Sequence, residues 1–231
     1  MTDSTSTIAG EPPANCALCP RLVALRQENQ KTYPDWHNGP VPAFLPAAGA
    51  ENVRLLIVGL APGLQGANRT GRPFTGDYAG GLLYETLIAH GFASGVYGES
   101  PDDSLELKAC AVTNAVRCLP PQNKPTGKEA ANCRPFLTDQ INAFPALEAI
   151  IALGRIAHDA VLGSFELRKA DHPFGHNARH DICLDADKKL ALIDSYHCSR
   201  YNTNTKRLTP EMFNDVFRGI AKDLKIDLPK N

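Results

Sequence analysis

The sequence has no long apolar run, no excess of either charge and no nucleotide-binding fingerprint, and each absence closes a class of function. Its longest apolar stretch, around Leu55 to Leu64, is broken by Gly59, Pro62 and Gly63, far short of the ~20 residues a membrane span needs. The start, Met1 to Cys16, has neither a cationic n-region nor an apolar h-region, so a cytoplasmic protein with no membrane partner is expected. The 24 Lys/Arg against 25 Asp/Glu leave a formal net charge of -1, which argues against a uniformly basic nucleic-acid binder. What is present is ordinary globular composition. The 231 residues, 43% apolar and 21% charged, suffice for one domain with a substantial core. Seven cysteines in a chain expected to stay in a reducing compartment point to metal ligands, free thiols or packing rather than disulfides.

The first fifty residues hold seven of the eighteen prolines and one helical candidate, Leu18 to Gln30. They predict a proline-rich arm wrapped on a single domain that spans 1–231. From Val53 the pattern changes to short apolar runs ending at glycine or a polar residue, the mark of buried parallel strands. Four such runs occur: Val53 to Gly59, Lys108 to Val116, Leu147 to Leu153 and Leu190 to Ser195. Helical stretches separate them, at Gly80 to His90, after the capping box Thr126-Gly127-Lys128-Glu129, at Ile156 to Leu162, and after Thr209-Pro210. The alternation predicts an α/β three-layer αβα sandwich around a mainly parallel, four-stranded sheet. Right-handed crossovers put the strand-to-helix loops on one edge, where sites in such folds lie.

Three of those loops carry the chemistry. The first, Gly59 to Asp77, holds five glycines in nineteen residues, which suits close backbone approach to a ligand. It has neither the Gly-Lys-Ser/Thr of a Walker loop nor a Gly-x-Gly-x-x-Gly fingerprint. The second follows Asn114 and reads Arg117-Cys118-Leu119-Pro120-Pro121. The third runs from His197 through Ser199, Arg200, Tyr201 and Asn202 to Lys206 and Arg207. The segments 64–76, 117–128 and 197–207 together hold eight Lys/Arg and no Asp or Glu. A neutral chain can therefore present one basic face, and phosphate binding responds to that local field rather than to net charge.

The stretches Gly-Leu-Ala-Pro-Gly…Asn-Arg-Thr-Gly-Arg-Pro-Phe-Thr-Gly-Asp, Thr-Asn-Ala-Val-Arg-Cys-Leu-Pro-Pro and His-x-Ser-x-x-Asn-Thr, in that order and with four spaced cysteines, resemble the uracil-DNA glycosylase superfamily. Within it, the chain looks like the iron–sulfur-containing family 5, or type B, enzymes, because Leu60 stands where type A relatives carry glutamate. The resemblance runs from about Cys16 to the last helix. It implies hydrolysis of the N-glycosidic bond of uracil in double-stranded DNA by a monomer, leaving an abasic site. Hypoxanthine and xanthine are implied as further substrates. Gly59 and Ala61 would line the base pocket. Phe74 would stack on the extruded base and Asn114 would pair with its edge. His197 would stabilise the leaving base, and Asp77 would orient the attacking water. Arg69, Arg72, Ser199, Arg200, Tyr201, Asn202, Lys206 and Arg207 would grip DNA. The family's proline after the motif histidine is Cys198 here, which predicts a less constrained loop.

Cys16-x2-Cys19 with Cys118 and Cys133 suits a 4Fe-4S cluster or structural zinc by spacing; the resemblance favours the cluster. Cys110, Cys183 and Cys198 read as packing thiols. His172, His176 and His180 are spaced by four, but Pro173 and Gly175 break any shared helical face, so no metal is expected on them. Read without the resemblance, Asp77 is a helix N-terminal carboxylate, and Phe74 and His197 are core residues. Two other functions stay open from sequence: a weakly catalytic relative that binds damaged DNA or senses redox state, and a hydrolase of small nucleosides.

Overall fold

The computed structural model describes residues 9–183 and 189–228; the first eight residues of the arm lie outside them. In chain order the elements are α1 (Pro20–Thr32), β1 (Leu55–Gly59), α2 (Ala67–Thr70), α3 (Tyr78–Ala89), β2 (Ala93–Ser94), β3 (Glu106–Leu107), β4 (Cys110–Asn114), α4 (Gly127–Asn142), β5 (Ala149–Leu153), α5 (Arg155–Ser164), β6 (Arg179–Cys183), β7 (Lys189–Ser195), α6 (Arg200–Asn204) and α7 (Pro210–Asp223). No helix among the described residues is long and apolar enough to cross a membrane.

The main sheet has five strands in the order β4-β1-β5-β7-β6, and β2 with β3 forms a separate ribbon. Side chains alternate between the faces of each strand. Leu55 and Ile57 of β1 thus meet Leu83 and Leu87 of α3 and Phe213 and Phe217 of α7 on one face. Leu56 and Val58 meet Leu137 and Ile141 of α4 and Val161 of α5 on the other. The three layers and the four parallel strands agree with the sequence pattern. The strand count does not, because β6 adds a fifth strand, antiparallel to β7. Its sequence, Arg-His-Asp-Ile-Cys, buries only Ile182. An edge strand covered on so little of its surface lacks the apolar run that marks the central four.

The arm does more than wrap. Phe44 bridges Val112 in antiparallel fashion, and Val41 N donates to Arg117 O at 2.7 Å, so the arm covers the outer edge of β4 and removes an open pairing edge. Arg21 of α1 holds Glu129 of α4 with two hydrogen bonds of 2.8 and 2.7 Å. The same Glu129 closes the capping box by accepting from Thr126 N at 2.7 Å. Chain direction then positions the site. The segment after β1 leads to α3 on one face, and that after β5 leads to α5 on the other. The diverging loops open a crevice at the carboxyl ends of the strands, the usual ligand position in such sheets.

Candidate active site

The crevice is a cleft of about 520 Å3 whose lining includes Leu60, Ala61, Phe74, Asp77, Asn114 and His197. Strand register brings Gly59 beside Asn114. A Cβ on Gly59 would come within 2.5 Å of Phe74 Cζ and closer still to Asn114 Oδ1, so only glycine lets the amide and the ring converge. Asn114 is 3% exposed, yet its side-chain amide hydrogen-bonds to no other described residue. It lines the cleft, where a ligand can pair with it.

Phe74 is held in the left-handed region at φ 53, a conformation that is strained by roughly 1–3 kcal/mol in a non-glycine residue. Its surroundings enforce it. Tyr97 Oη donates to Phe74 O at 3.1 Å and accepts from Gly76 N at 3.3 Å, and Tyr84 Oη donates to Pro73 O at 2.5 Å. The Phe74 ring lies 5.8 Å from the His197 ring at an interplanar angle of 25°.

His197 follows β7. Burial pushes its pKa down to about 4, because the imidazolium loses more solvation than the neutral ring. Nδ1 is buried without a hydrogen-bond partner. At neutral pH the residue is thus an uncharged imidazole. Asn202 Nδ2 donates to His197 O at 2.8 Å and fixes the loop from below. Cys198 is fully buried, and its thiol donates to Ala79 O at 3.5 Å. The loosened loop expected from a cysteine at this position is not what the structure shows: Cys198 ties the histidine loop to the start of α3.

Asp77 caps α3, accepting from Ala79 N at 3.1 Å through Oδ1. Oδ2 faces the first loop so closely that a Cβ on Gly66 would overlap it. Burial raises its pKa, the amides of Ala79 and Gly80 pull it back, and the charge of Glu99 raises it further. The capping and cleft-facing roles are compatible, because each uses a different carboxylate oxygen.

The expected DNA-gripping residues divide. Arg69, Arg200, Tyr201, Lys206 and Arg207 are exposed. Ser199 caps α6 by accepting from Asn202 N, and Asn202 turns inward to His197. Arg72 does not belong with them. It is 7% exposed, forms a bidentate pair with Asp103 at 2.8 and 2.7 Å, and lies over the rings of Phe44 and Tyr84. Arg117, from the second basic segment, is equally internal. It is 1% exposed and bonded to Glu11, Val41 O and Gln140. Sequence reasoning missed Tyr78, Arg155 and Ile156, which also line the cleft. The signal was Gly154 directly after the third apolar run.

A second, smaller cavity is lined by Cys16, Cys19, Cys118 and Cys133 with Leu22, Val116 and Phe136. None of the four cysteines is in a disulfide. Arg117 N donates to Cys133 Sγ at 3.4 Å, and Asn132 Nδ2 donates to Cys19 Sγ at 3.7 Å. Burial and the neighbouring Cys133 push the Cys118 thiol up to about 12, and burial raises Cys133 and Cys19 as well. Thiols so gathered ionise together only if a cationic group shares the charge. The donor set and its amide hydrogen bonds fit a four-thiolate metal group. Elsewhere, His158, His180 and Asp194 bring ligand-type atoms within 4.8 Å of one another. Both His158 nitrogens are already engaged, with Asp194 at 2.7 Å and His172 O at 2.9 Å. His176 stands apart, stacked on Tyr196.

Residues 46–221 match the family model described as "Uracil DNA glycosylase superfamily". A Type-5 uracil-DNA glycosylase from Thermus thermophilus is 45% identical over 208 residues, covering 87% of this chain and 90% of that protein. One from Pyrobaculum aerophilum is 38% identical over 213 residues, covering 90% and 89%. One from Mycobacterium bovis is 36% identical over 215 residues, covering 90% and 77%. With its strand-end cleft and a family match that spans most of the fold, the chain belongs to the uracil DNA glycosylase superfamily.

Proposed function

We propose that the protein hydrolyses the N-glycosidic bond of uracil in DNA and leaves an abasic site, the activity for which its type-5 relatives are named. The observation that carries this is the amide of Asn114, unpaired among the described residues, converging with Phe74 and a neutral His197 in one cleft. An extruded pyrimidine stacks on Phe74 and presents its hydrogen-bonding edge to Asn114. The oxygen of a water bonds to C1′ as the bond from C1′ to uracil N1 breaks. The bonding pair leaves with the base and spreads onto O2. His197, held neutral by burial, donates a hydrogen bond to that oxygen as charge develops. The Asp77 carboxylate orients the water and takes its proton, which its raised pKa favours. No lysine lines the cleft among the described residues, so no imine with the sugar forms and the strand stays intact.

Duplex DNA is the proposed form of the substrate. Tyr201, 73% exposed on α6 beside the mouth, has the size to fill the stack that an extruded base vacates. Hypoxanthine and xanthine are proposed as further substrates, and the protein as a cytoplasmic monomer. Cys16, Cys19, Cys118 and Cys133 are proposed to hold a 4Fe-4S cluster, which when bound supplies a cross-link between the arm, the second loop and α4. A broad brown visible absorption separates it from colourless zinc. Base release from uracil-containing duplexes tests the activity. Free uracil and an alkali-labile site are expected. Metal-loaded protein that releases none, or a His197→Ala variant as active as the parent, overturns it.

A further inference from the structure

Three arginines at the mouth of the cleft share an arrangement that the catalytic residues do not explain. Arg155 Cζ lies 5.2 Å over the Phe174 ring, Arg200 Cζ 5.2 Å over Tyr78, and Arg207 Cζ 4.5 Å over Tyr196. All three are exposed. None has a carboxylate within 4.0 Å or a side-chain hydrogen bond among the described residues. Seven other arginines of the chain are ion-paired. The aromatic supports are themselves braced. Phe174 and Tyr196 lie 6.2 Å apart, so Arg155 and Arg207 share one strut. Tyr78 Oη accepts from Thr203 Oγ1 at 3.1 Å.

A guanidinium over a ring face is held in place by the ring's quadrupole while the N–H groups on its edge stay free. A carboxylate partner would instead use those donors and cancel the field. Arg155 opens α5 after β5, Arg200 opens α6 after β7, and Arg207 stacks on Tyr196, the residue that follows β7. The three cations therefore belong to the strand-end edge that carries Asn114 and His197, and two of them line the cleft.

We propose that Arg155, Arg200 and Arg207 form a three-point grip for backbone phosphodiesters of the DNA strand that carries the extruded nucleotide, with Phe174, Tyr78 and Tyr196 as struts that pre-orient them. This rests on the glycosylase reading and adds to it a residue, Arg155, and a mechanism: stacking orients the charge before DNA arrives, which reduces what must be ordered on binding.

The test is the dissociation constant of the metal-loaded full chain for a short duplex bearing a tetrahydrofuran abasic site, measured over a range of salt. Each arginine that meets a phosphate contributes about 0.9 to the slope of log affinity against log salt. Arg155→Gln, Arg200→Gln and Arg207→Gln should each lower the slope by about that amount, and the triple variant by nearly three times as much. Arg155→Lys should keep the slope. Phe174→Leu, which removes a strut and no charge, should keep the slope and weaken binding about 2- to 5-fold. Far-ultraviolet circular dichroism and thermal melting identify variants that fail to fold; for those, an Arg→Met substitution, which keeps an apolar stem over the ring and removes the charge, carries the comparison. A triple variant with the parent's slope overturns the grip, and an unchanged dissociation constant for Phe174→Leu overturns the struts. Failure of the glycosylase reading looks different, because the unmodified protein would then release no uracil at all.

Discussion

Asn114 and Arg117 lie three residues apart at the end of β4, both buried and both polar, and they are treated in opposite ways. Arg117 is matched on every side by Glu11, Val41 and Gln140. Burial pulls its pKa down and the Glu11 charge resists. Asn114 is matched by nothing. The difference separates two uses of one loop: a matched buried charge locks the arm to the domain, and an unpaired amide is left at the cleft wall.

Arg117→Ala is the strongest way to break that contrast. Removing the cation leaves Glu11 only the donors Ala43 N and Gln140 Nε2, and breaking such a pair costs up to about 3–5 kcal/mol. Urea unfolding should show the loss, while base release per folded molecule is retained. If instead stability holds and turnover disappears, Arg117 belongs to the site. His197→Ala is the converse. Loss of one preorganised donor costs about 2.7–4 kcal/mol in comparable sites, so single-turnover release should slow about 100- to 1,000-fold. The melting temperature should not fall, because an orphaned buried Nδ1 leaves with the ring.

The same contrast explains what was legible in the sequence. Asp77, Asn114 and His197 could be located because each follows an apolar run that ends at the strand edge, and backbone topology alone gathers such residues. Arg72 and Arg117 could not be told from Arg200 and Arg207, since all sit in loops that lack acidic residues. Their carboxylates arrive from 31 and 106 residues away in Asp103 and Glu11, a separation that local charge counting does not see. The fifth strand was hidden for a related reason: β6 is defined by pairing with β7 rather than by apolar residues of its own. Arg155 was marked only by the Gly154 that precedes it, and its partner Phe174 lies beyond α5.

Acidification separates the two kinds of group again. Asp103 sits in the matched class. Burial alone would raise its pKa, but hydrogen bonds from Arg72 and the amides of Gly98 and Leu105 hold it at about 2. A depressed carboxyl stabilises the fold fully above its ordinary range near 4 and loses that contribution as pH falls towards 2. Asp103→Asn should therefore lower stability at neutral pH and flatten its acid dependence, as thermal melts across pH would show. Asp77 has no cation beside it, only the amides at the start of α3, and burial raises its pKa. The proposed mechanism uses its carboxylate, so the rate should begin to fall at a higher pH than an ordinary aspartate would dictate. Single-turnover rates against pH locate this limb, and Asp77→Asn should abolish it along with most of the rate.

The smallest expected effect falls on Tyr97, where the two classes meet. Its ring packs 4.8 Å from Tyr84 and would stay in place as phenylalanine, so Tyr97→Phe removes only the hydroxyl that bridges Gly76 N and Phe74 O. A hydrogen bond of this kind contributes about 0.5–1.5 kcal/mol, and a stability loss near 1 kcal/mol is expected from denaturant melts. The effect on activity discriminates between roles. On the proposed mechanism Phe74 stacks on the base in both ground and transition states, so loosening its left-handed backbone weakens both equally and raises KM with little change in kcat. Asp77, three residues further on, is proposed to act only as the bond breaks. A fall in kcat with KM unchanged would show that Tyr97 sets the carboxylate rather than the stacking ring, and would move the strained turn at Phe74 from base binding to the chemical step.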